Sequence, residues 1–391
     1  NNIGNHKISM IFFSFILRII YEMLFRVLFF ICISFCSISV SGQQQDSIQI
    51  DSLNIIEEKR FQDSIAQLNK VNKNFKESRD AFNSAIDLLN SAIYEDALKE
   101  FNIAISIDSL FYHAYFNRGK TNVILENHDD AINDFKQCFL LDNTQLKSLY
   151  EIASIYKILN REISSQIYDS ILSIDPNQYH ALYEKGLLLF IENKIEEAID
   201  MFTKSLSISK QARTYNDRAS CYRLLEKYDK AISDYTYAIS LDAGLSFIYN
   251  NLASLYRKTD QLDKALNYYN IAIQKDSVYD LAYNNRGSLY IKLNDLNKAK
   301  LDLEKALSIN PNYSLAYNNR GIIKYKTDKY QEALEDFTQA ISLKEDYGKA
   351  YLNRGICKQM LRDEDGACSD WEKAKELGIS ISDQYLINDC K

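Results

Sequence analysis

Side-chain amides recur in this chain at a fixed interval. Asn216, Asn250, Asn284 and Asn318 stand 34 residues apart, and Asn251, Asn285 and Asn319 follow the last three directly. Ser254 and Ser288 lie three residues beyond two of these pairs. A carboxamide both donates and accepts hydrogen bonds, so a row of them can pair with the backbone of an extended polypeptide whatever its sequence. Basic residues accompany the row: Arg213, Arg223, Arg257, Lys258, Lys292 and Lys326. Further toward the N-terminus the equivalent residues are aromatic, Phe116, Tyr150 and Tyr183, with His113 and His180 close by. The chemistry on offer is recognition of a polypeptide. Covalent chemistry is not: none of the four His lies in HExxH, no Cys pair after residue 42 has CxxC spacing, and P-loop, GxGxxG and GxSxG motifs are absent. No catalytic residue, metal or cofactor is expected.

Such residues need a frame, and composition says which. The 391 residues include only 11 Gly and 2 Pro, where average usage would give roughly 27 and 20. Tight turns between strands draw on these residues, so the chain reads as helical nearly throughout, with short connections. Collagen, low-complexity disorder and β-barrels are excluded. With 28 Tyr against 1 Trp, aromatic packing rests on Tyr and Phe. The net charge of −7 gives no support to nucleic-acid binding.

A small residue recurs at Ala85, Gly119, Ala153, Gly186, Ala219, Ala253, Gly287, Gly321 and Gly355, always 33 or 34 residues on. Twelve residues later most units have Ala, as at Ala333, and four beyond that an aromatic residue or Leu, as at Phe337. Ala333, Phe337 and Ala340 share one helical face. Two antiparallel helices per unit follow, with small residues admitting close approach and the aromatic filling the space left. Stacked units make the core continuous, because one hairpin cannot bury its apolar face alone.

The pattern resembles the tetratricopeptide repeat, most closely in AYNNRGIIKYKTDKYQEALEDFTQAISLKED (316–346) and AYNNRGSLYIKLNDLNKAKLDLEKALSINPN (282–312). Nine units are read: 78–111, 112–145, 146–178, 179–211, 212–245, 246–279, 280–313, 314–347 and 348–381. The resemblance, to an exported bacterial type, implies an all-α fold: a right-handed α-solenoid of about nine helix hairpins with a C-terminal capping helix at 382–391. It also implies that helix A lines a concave groove, mainly at places 2, 5, 6, 9, 12 and 13 of each unit. The expected peptide-binding residues are then Asn216, Asn250, Asn284 and Asn318 (fifth place), Asn251, Asn285 and Asn319 (sixth), Ser254 and Ser288 (ninth) and Arg257 (twelfth). Chaperone-tail binding by a carboxylate clamp is disfavoured, since the Lys and Asn it needs in a first unit are missing. Unit 146–178 is one residue short and has Ser165 where Ala is expected, so a local distortion is predicted there.

Comparing units within the chain exposes a pairing. The seventh place is Arg at Arg118, Arg218, Arg286, Arg320 and Arg354, and the same five units have Asp at the twenty-third place: Asp134, Asp234, Asp302, Asp336 and Asp370. Where Ser84, Ile152, Lys185 or Leu252 replaces Arg, the Asp is missing too. An ion pair between helices A and B of one unit is predicted.

The N-terminal part differs from the rest. Lys7, Arg18 and Arg26 against Glu22 give residues 1–42 a charge of +2, leaving −9 for 43–391. A basic stretch at 23–26, an apolar run at 27–38 and Val40-Ser41-Gly42 before Gln43 read as a signal peptide starting at Met23. Residues 1–22 would then be an upstream extension. The alternative is an N-terminal membrane segment, although the run is shorter than the ~20 residues a span needs. Residues 43–77 read as a polar linker and a lead-in helix. The expected location is outside the cytosol, periplasmic or associated with the cell envelope, with membrane or envelope association through the N-terminus. There Cys368 and Cys390 could join the cap to the last unit, while Cys138, Cys221 and Cys357 suit small buried positions. Three functions are consistent with these features. The first is a non-enzymatic scaffold binding an extended peptide or an envelope partner in its groove. The second is a structural assembly component using convex or edge surfaces. The third is an accessory segment of a transferase or sensor-kinase system.

Overall fold

The structure, a computed structural model, describes residues 44–390 and is all-helical among them, with nineteen helices. The signal or anchor expected at 1–42, with Cys32 and Cys36, lies outside the described residues. Two compact units meet between Phe111 and Tyr112.

The first unit is one hairpin. In place of a linker and a separate lead-in helix, a single helix of 47 residues runs over Gln44–Asn90 and is followed by Tyr94–Ile107. The sequence from 44 to 90 has no Gly or Pro to stop it and is rich in Gln, Glu, Lys and Asn. Polarity there marks a solvated helix rather than a break. Packing starts at Ser78, whose hydroxyl donates to the Ala104 carbonyl (3.1 Å). Phe82 packs between Phe101 and Phe111, and Ala85, Ala97 and Phe101 are fully buried.

The second unit is an α-solenoid of eight hairpins and a final helix. Helices A are Tyr112–Ile124, Lys147–Leu159, Tyr179–Ile191, Ala212–Leu224, Ser246–Lys258, Asp280–Lys292, Ser314–Lys326 and Gly348–Met360. Helices B are His128–Leu141, Arg161–Ile174, Ile195–Ile208, Tyr228–Leu241, Leu262–Lys275, Leu296–Ile309, Tyr330–Leu343 and Glu364–Glu376. In seven hairpins the turn between A and B holds one left-handed residue, such as Glu226 (φ 57°) or Asp260 (φ 58°). The next N–H donates to the carbonyl five residues back, as Lys227 does to Tyr222 (2.9 Å), which satisfies an orphan carbonyl of helix A. Helix B ends on an Asx turn: Asp142, Asp175, Asp242, Asp276 and Asn310 each accept from the N–H two residues on. This device serves units with and without the Pro that follows Asp175 and Asn310.

Between the helices of each hairpin lies the large residue, aromatic except for Leu303 in 280–313. A Cβ on Gly186 would stand 2.6 Å from Phe202, and one on Gly355 2.5 Å from Trp371. At these two places the ring lies against the glycine itself, and an added methyl group would have to displace it.

The five predicted ion pairs form within their own hairpins. In four of them two guanidinium N–H groups reach the two carboxylate oxygens at 2.7–2.9 Å; Arg118 likewise grips Asp134. Each Asp is buried. Sequence reading missed a third partner, the fourth-place Tyr. Tyr115, Tyr215, Tyr283, Tyr317 and Tyr351 each lie under their guanidinium at 5.3–5.7 Å. Lys324 and Lys358 add a second cation to Asp336 and Asp370 (3.0 and 2.9 Å). Where Lys185 replaces Arg, it pairs instead with Asp169 of the preceding unit.

The two short units lose their residue in different places. In 146–178 Asn160 alone joins the helices, with no left-handed turn, and its side chain caps helix B by accepting from the Glu162 and Ile163 N–H groups. Helix B is therefore shifted by one residue. Ser164, not Ser165, takes the alanine place, buried and donating to the Ala153 carbonyl (2.8 Å). In 179–211 the hairpin is regular and the link after Ile208 is short.

At the C-terminal end the helix Ser382–Asp389 begins 34 residues after Gly348, the register of a further helix A. Three contacts hold it to the last helix B: the Cys368–Cys390 disulfide (Cα–Cα 5.8 Å), stacking of Tyr385 on Trp371 (4.9 Å) and the Lys375–Asp383 ion pair (2.7 Å). Cys138, Cys221 and Cys357 are buried thiols, pushed up to about 12 by burial. Among the described residues no helix is long and apolar enough to cross a membrane, and no His, Cys, Asp and Glu cluster could hold a metal.

Candidate functional site

The fifth and sixth places of helix A behave differently, although both are Asn in three successive units. Asn216, Asn250, Asn284 and Asn318 are only 2–5% exposed. The oxygen of each accepts an N–H from the sixth-place Asn of the next unit: Asn251 to Asn216, Asn285 to Asn250, Asn319 to Asn284 and Asn353 to Asn318, at 2.9–3.0 Å. The fifth-place amides, expected from sequence to face a partner, are thus fasteners between units. One residue of helix turns the side chain by about 100°, which separates the packed place from the partly exposed one.

The sixth place is what this face presents. Asn251, Asn285, Asn319 and Asn353 are half-buried. Each spends one N–H on the unit before it and keeps the other. The Asn285 oxygen also accepts from Asn284, at a long 3.4 Å. At the ninth place Ser254 hydrogen-bonds the Tyr269 hydroxyl, as Ser220 does Tyr235 (2.9 Å each). Ser288 has Leu303 where those units have Tyr, so it accepts from Arg257 Nη1 (3.0 Å) instead. Lys258 pairs with Glu226 and Lys292 with Asp260. Structure therefore gathers Asn251, Asn285 and Asn319 into one row and buries the fifth-place quartet behind it. Ser254, Ser288 and Arg257 are bonded alongside.

Toward the N-terminal side of this unit the same places carry other chemistry. Glu151 pairs with Lys120 (3.2 Å) and Glu184 with Lys157 (2.6 Å) across neighbouring helices A. Asp217 accepts from the Tyr183 hydroxyl (2.9 Å) and from Asn216 Nδ2 (3.0 Å). Burial raises the Asp217 carboxyl against the opposing pull of these donors, and burial beside Asp217 raises the Tyr183 phenol. His180 lies between the rings of Tyr150 and Tyr183 (5.3 and 6.4 Å). Since a carboxylate only accepts, Asp217 obliges Asn216 to turn its nitrogen inward and its oxygen to Asn251. The direction of hydrogen bonding between units reverses here: Tyr183 donates forward to Asp217, whereas each later sixth-place Asn donates backward. Sequence contained the signal, a fifth–sixth pair changing from Tyr183/Asp217 to Asn/Asn, but no way to see that the two places touch across units.

Comparison with known proteins agrees with the repeat architecture. Family models described as tetratricopeptide repeat match residues 112–145, 179–211, 212–244, 248–274, 281–313 and 314–347. A DnaJ homolog subfamily C member 7 homolog from Dictyostelium discoideum is 27% identical over 223 residues, 51% of this chain and 41% of that protein. Mitochondrial import receptor subunit TOM34 from Homo sapiens is 35% identical over 69 residues, 17% of this chain and 22% of that protein. The chain spans less than half the length of these relatives. Among solved structures, the APC/C hetero-tetramer Cut9-Hcn1 superposes with a TM-score of 0.56 at 14% identity, covering 80% of this chain and 76% of that one. A tetratricopeptide repeat protein from Parabacteroides merdae gives 0.52 at 18% identity, covering 62% and 97%. At these identities the likeness is one of fold.

Proposed function

This chain is a tetratricopeptide-repeat protein, a protein–protein interaction scaffold, and we propose that it holds an extended polypeptide against its sixth-place amides. One observation carries the reading. Asn251, Asn285, Asn319 and Asn353 are each oriented by one N–H bonded to the preceding unit. An amide fixed this way keeps a donor and an acceptor edge toward a passing backbone without losing rotamer freedom on binding. Ser254, Ser288 and Arg257 flank the row and add polar contacts. No residue is assigned a catalytic role.

The scaffold works outside the cytosol in this reading, in the periplasm or at the cell envelope. The Cys368–Cys390 bond supports it, because structural disulfides persist in oxidising compartments. The signal-like segment at 23–42 supports it from sequence. Assembly through convex or edge surfaces is the second reading, and exposed Ile174, Ile208 and Leu241, which end three successive helices B, would be its contacts.

Backbone recognition makes a sharp test. The full chain should bind a permanently unfolded polypeptide, such as reduced and carboxymethylated α-lactalbumin, and not its folded form. Methylating the backbone nitrogens of a bound peptide should weaken binding, as should Asn285→Ala with Asn319→Ala, read by anisotropy with circular dichroism to confirm folding. Binding indifferent to both changes would remove the amide row from the mechanism.

A further inference from the structure

Helix A ends at or beside the thirteenth place in every hairpin of the second unit, and that place changes character midway. It is Ile124, Ile158, Ile191 and Leu224 in four successive units, then Lys258, Lys292 and Lys326, and finally Met360. The four aliphatic side chains are 47–81% exposed. The C-terminal end of a helix favours a cation by about 0.3–1 kcal/mol, so lysine there is what the helix alone would select. Four consecutive units instead leave an aliphatic group in water at this place, two of them keeping their cation one residue earlier, at Lys157 and Arg223. Single exposed apolar residues are ordinary; the same place in successive stacked units is a row. Neighbouring helices A in this stretch are tied side by side by Lys120–Glu151, Lys157–Glu184 and Tyr183–Asp217.

The cationic stretch is open to exchange. Lys258 and Lys292 meet Glu226 and Asp260, both exposed carboxylates in the hairpin turns of the preceding units. Such exposed pairs are worth only ~0–1 kcal/mol, so a carboxylate brought by a partner can replace them. At Lys326 the corresponding turn residue is Asn294, which has no charge. The fifth place changes one unit earlier, from Phe116, Tyr150 and Tyr183 to Asn216 and the asparagines after it.

We infer that the polypeptide recognised on this face is two-part: an aliphatic stretch laid along Ile124, Ile158, Ile191 and Leu224, adjoining an acidic stretch laid along Lys258, Lys292 and Lys326. The inference rests on the peptide-binding reading above and names the chemistry of its partner. Packed helices lie about 8–10 Å apart, and an extended chain covers about 3.3 Å per residue. Aliphatic side chains at every third residue therefore keep step with the row.

Four synthetic peptides of equal length test this, labelled and titrated with the full chain. One has Leu at every third residue of one half and Glu in the other; the others are Leu with Ser, Ser with Glu, and Leu with Lys. The Leu–Glu peptide should bind most tightly. Ile158→Ser with Ile191→Ser should weaken it about tenfold or more while leaving its salt dependence in place. Lys292→Gln with Lys326→Gln should flatten the salt dependence and bring its affinity down to that of the Leu–Ser peptide. These side chains are exposed, so unchanged melting curves are expected. If all four peptides bind alike, or neither pair of substitutions changes the ranking, the two-part partner is wrong while the amide reading stands. If no peptide binds and unfolded α-lactalbumin does not either, both fall together.

Discussion

Repeats 112–211 and 246–381 solve one problem in two ways. Both must join each helix A to the next. The first stretch does so with ionised groups, Glu151 on Lys120, Glu184 on Lys157 and the Tyr183 hydroxyl on Asp217. The second relies on neutral amides, Asn on Asn from unit to unit, with Arg257 on Ser288 beside them. The repeat between them, 212–245, faces both ways, with Asp217 accepting from behind and Asn216 accepting from ahead. The comparison teaches that near-identical hairpins need not share a joint, and that stacking leaves the joint chemistry free provided donors meet acceptors.

What the two stretches share should give the largest effects. Removing Arg118 or Arg320 leaves Asp134 or Asp336 buried without its guanidinium, a loss of up to ~3–5 kcal/mol in urea unfolding. Arg118→Ala should exceed Arg320→Ala, because Lys324 still neutralises Asp336 while Asp134 has only Asn122, at 3.4 Å. Equal losses would show that the second cation is idle.

Next come the joints. Asn284→Ala strands the Asn319 N–H and should cost about 1–3 kcal/mol, independent of salt and of pH near neutrality. Amide exchange should speed up in Ser314–Lys326 more than in Tyr179–Ile191. A spread-out effect would mean that the amide ladder is not the joint.

The pH response separates the stretches further. The Asp217 carboxyl is raised by burial, so the folded state holds its proton more tightly than the unfolded chain. Its contribution to stability therefore increases as pH falls through the raised value and is complete below the ordinary carboxylate range. Relative to Asp217→Asn, the native chain should gain melting temperature from neutral to mildly acid buffer; the opposite trend would show that Tyr183 and Asn216 outweigh burial. The smallest effect belongs to Lys157→Gln, about 0–1 kcal/mol and erased by salt, since Lys157 is partly solvated beside Glu184.

Much of the frame was legible in the amino-acid order because the chain contains its own comparison set. Five Arg and five Asp that come and go together reveal a contact without any relative. Other features were hidden for physical reasons. Asn is at home both on a surface and in a buried amide pair, so Asn250 and Asn251 looked alike until helix rotation separated them. A missing residue in 146–178 says nothing of where it is missing; only Asn160 closing the turn by itself moved the alanine place to Ser164. The stretch 43–77 is polar, and polarity alone cannot tell a linker from a helix bathed in water.

That continuous helix has a consequence of scale. From Gln44 to the first buried contact at Ser78 it rises about 1.5 Å per residue, or roughly 50 Å in all. Its leading end stands that far from the helix's first packed turn, beyond several Debye lengths at physiological ionic strength. The helix acts as a ruler: a charge at its leading end and one beside Ser78 would not sense each other.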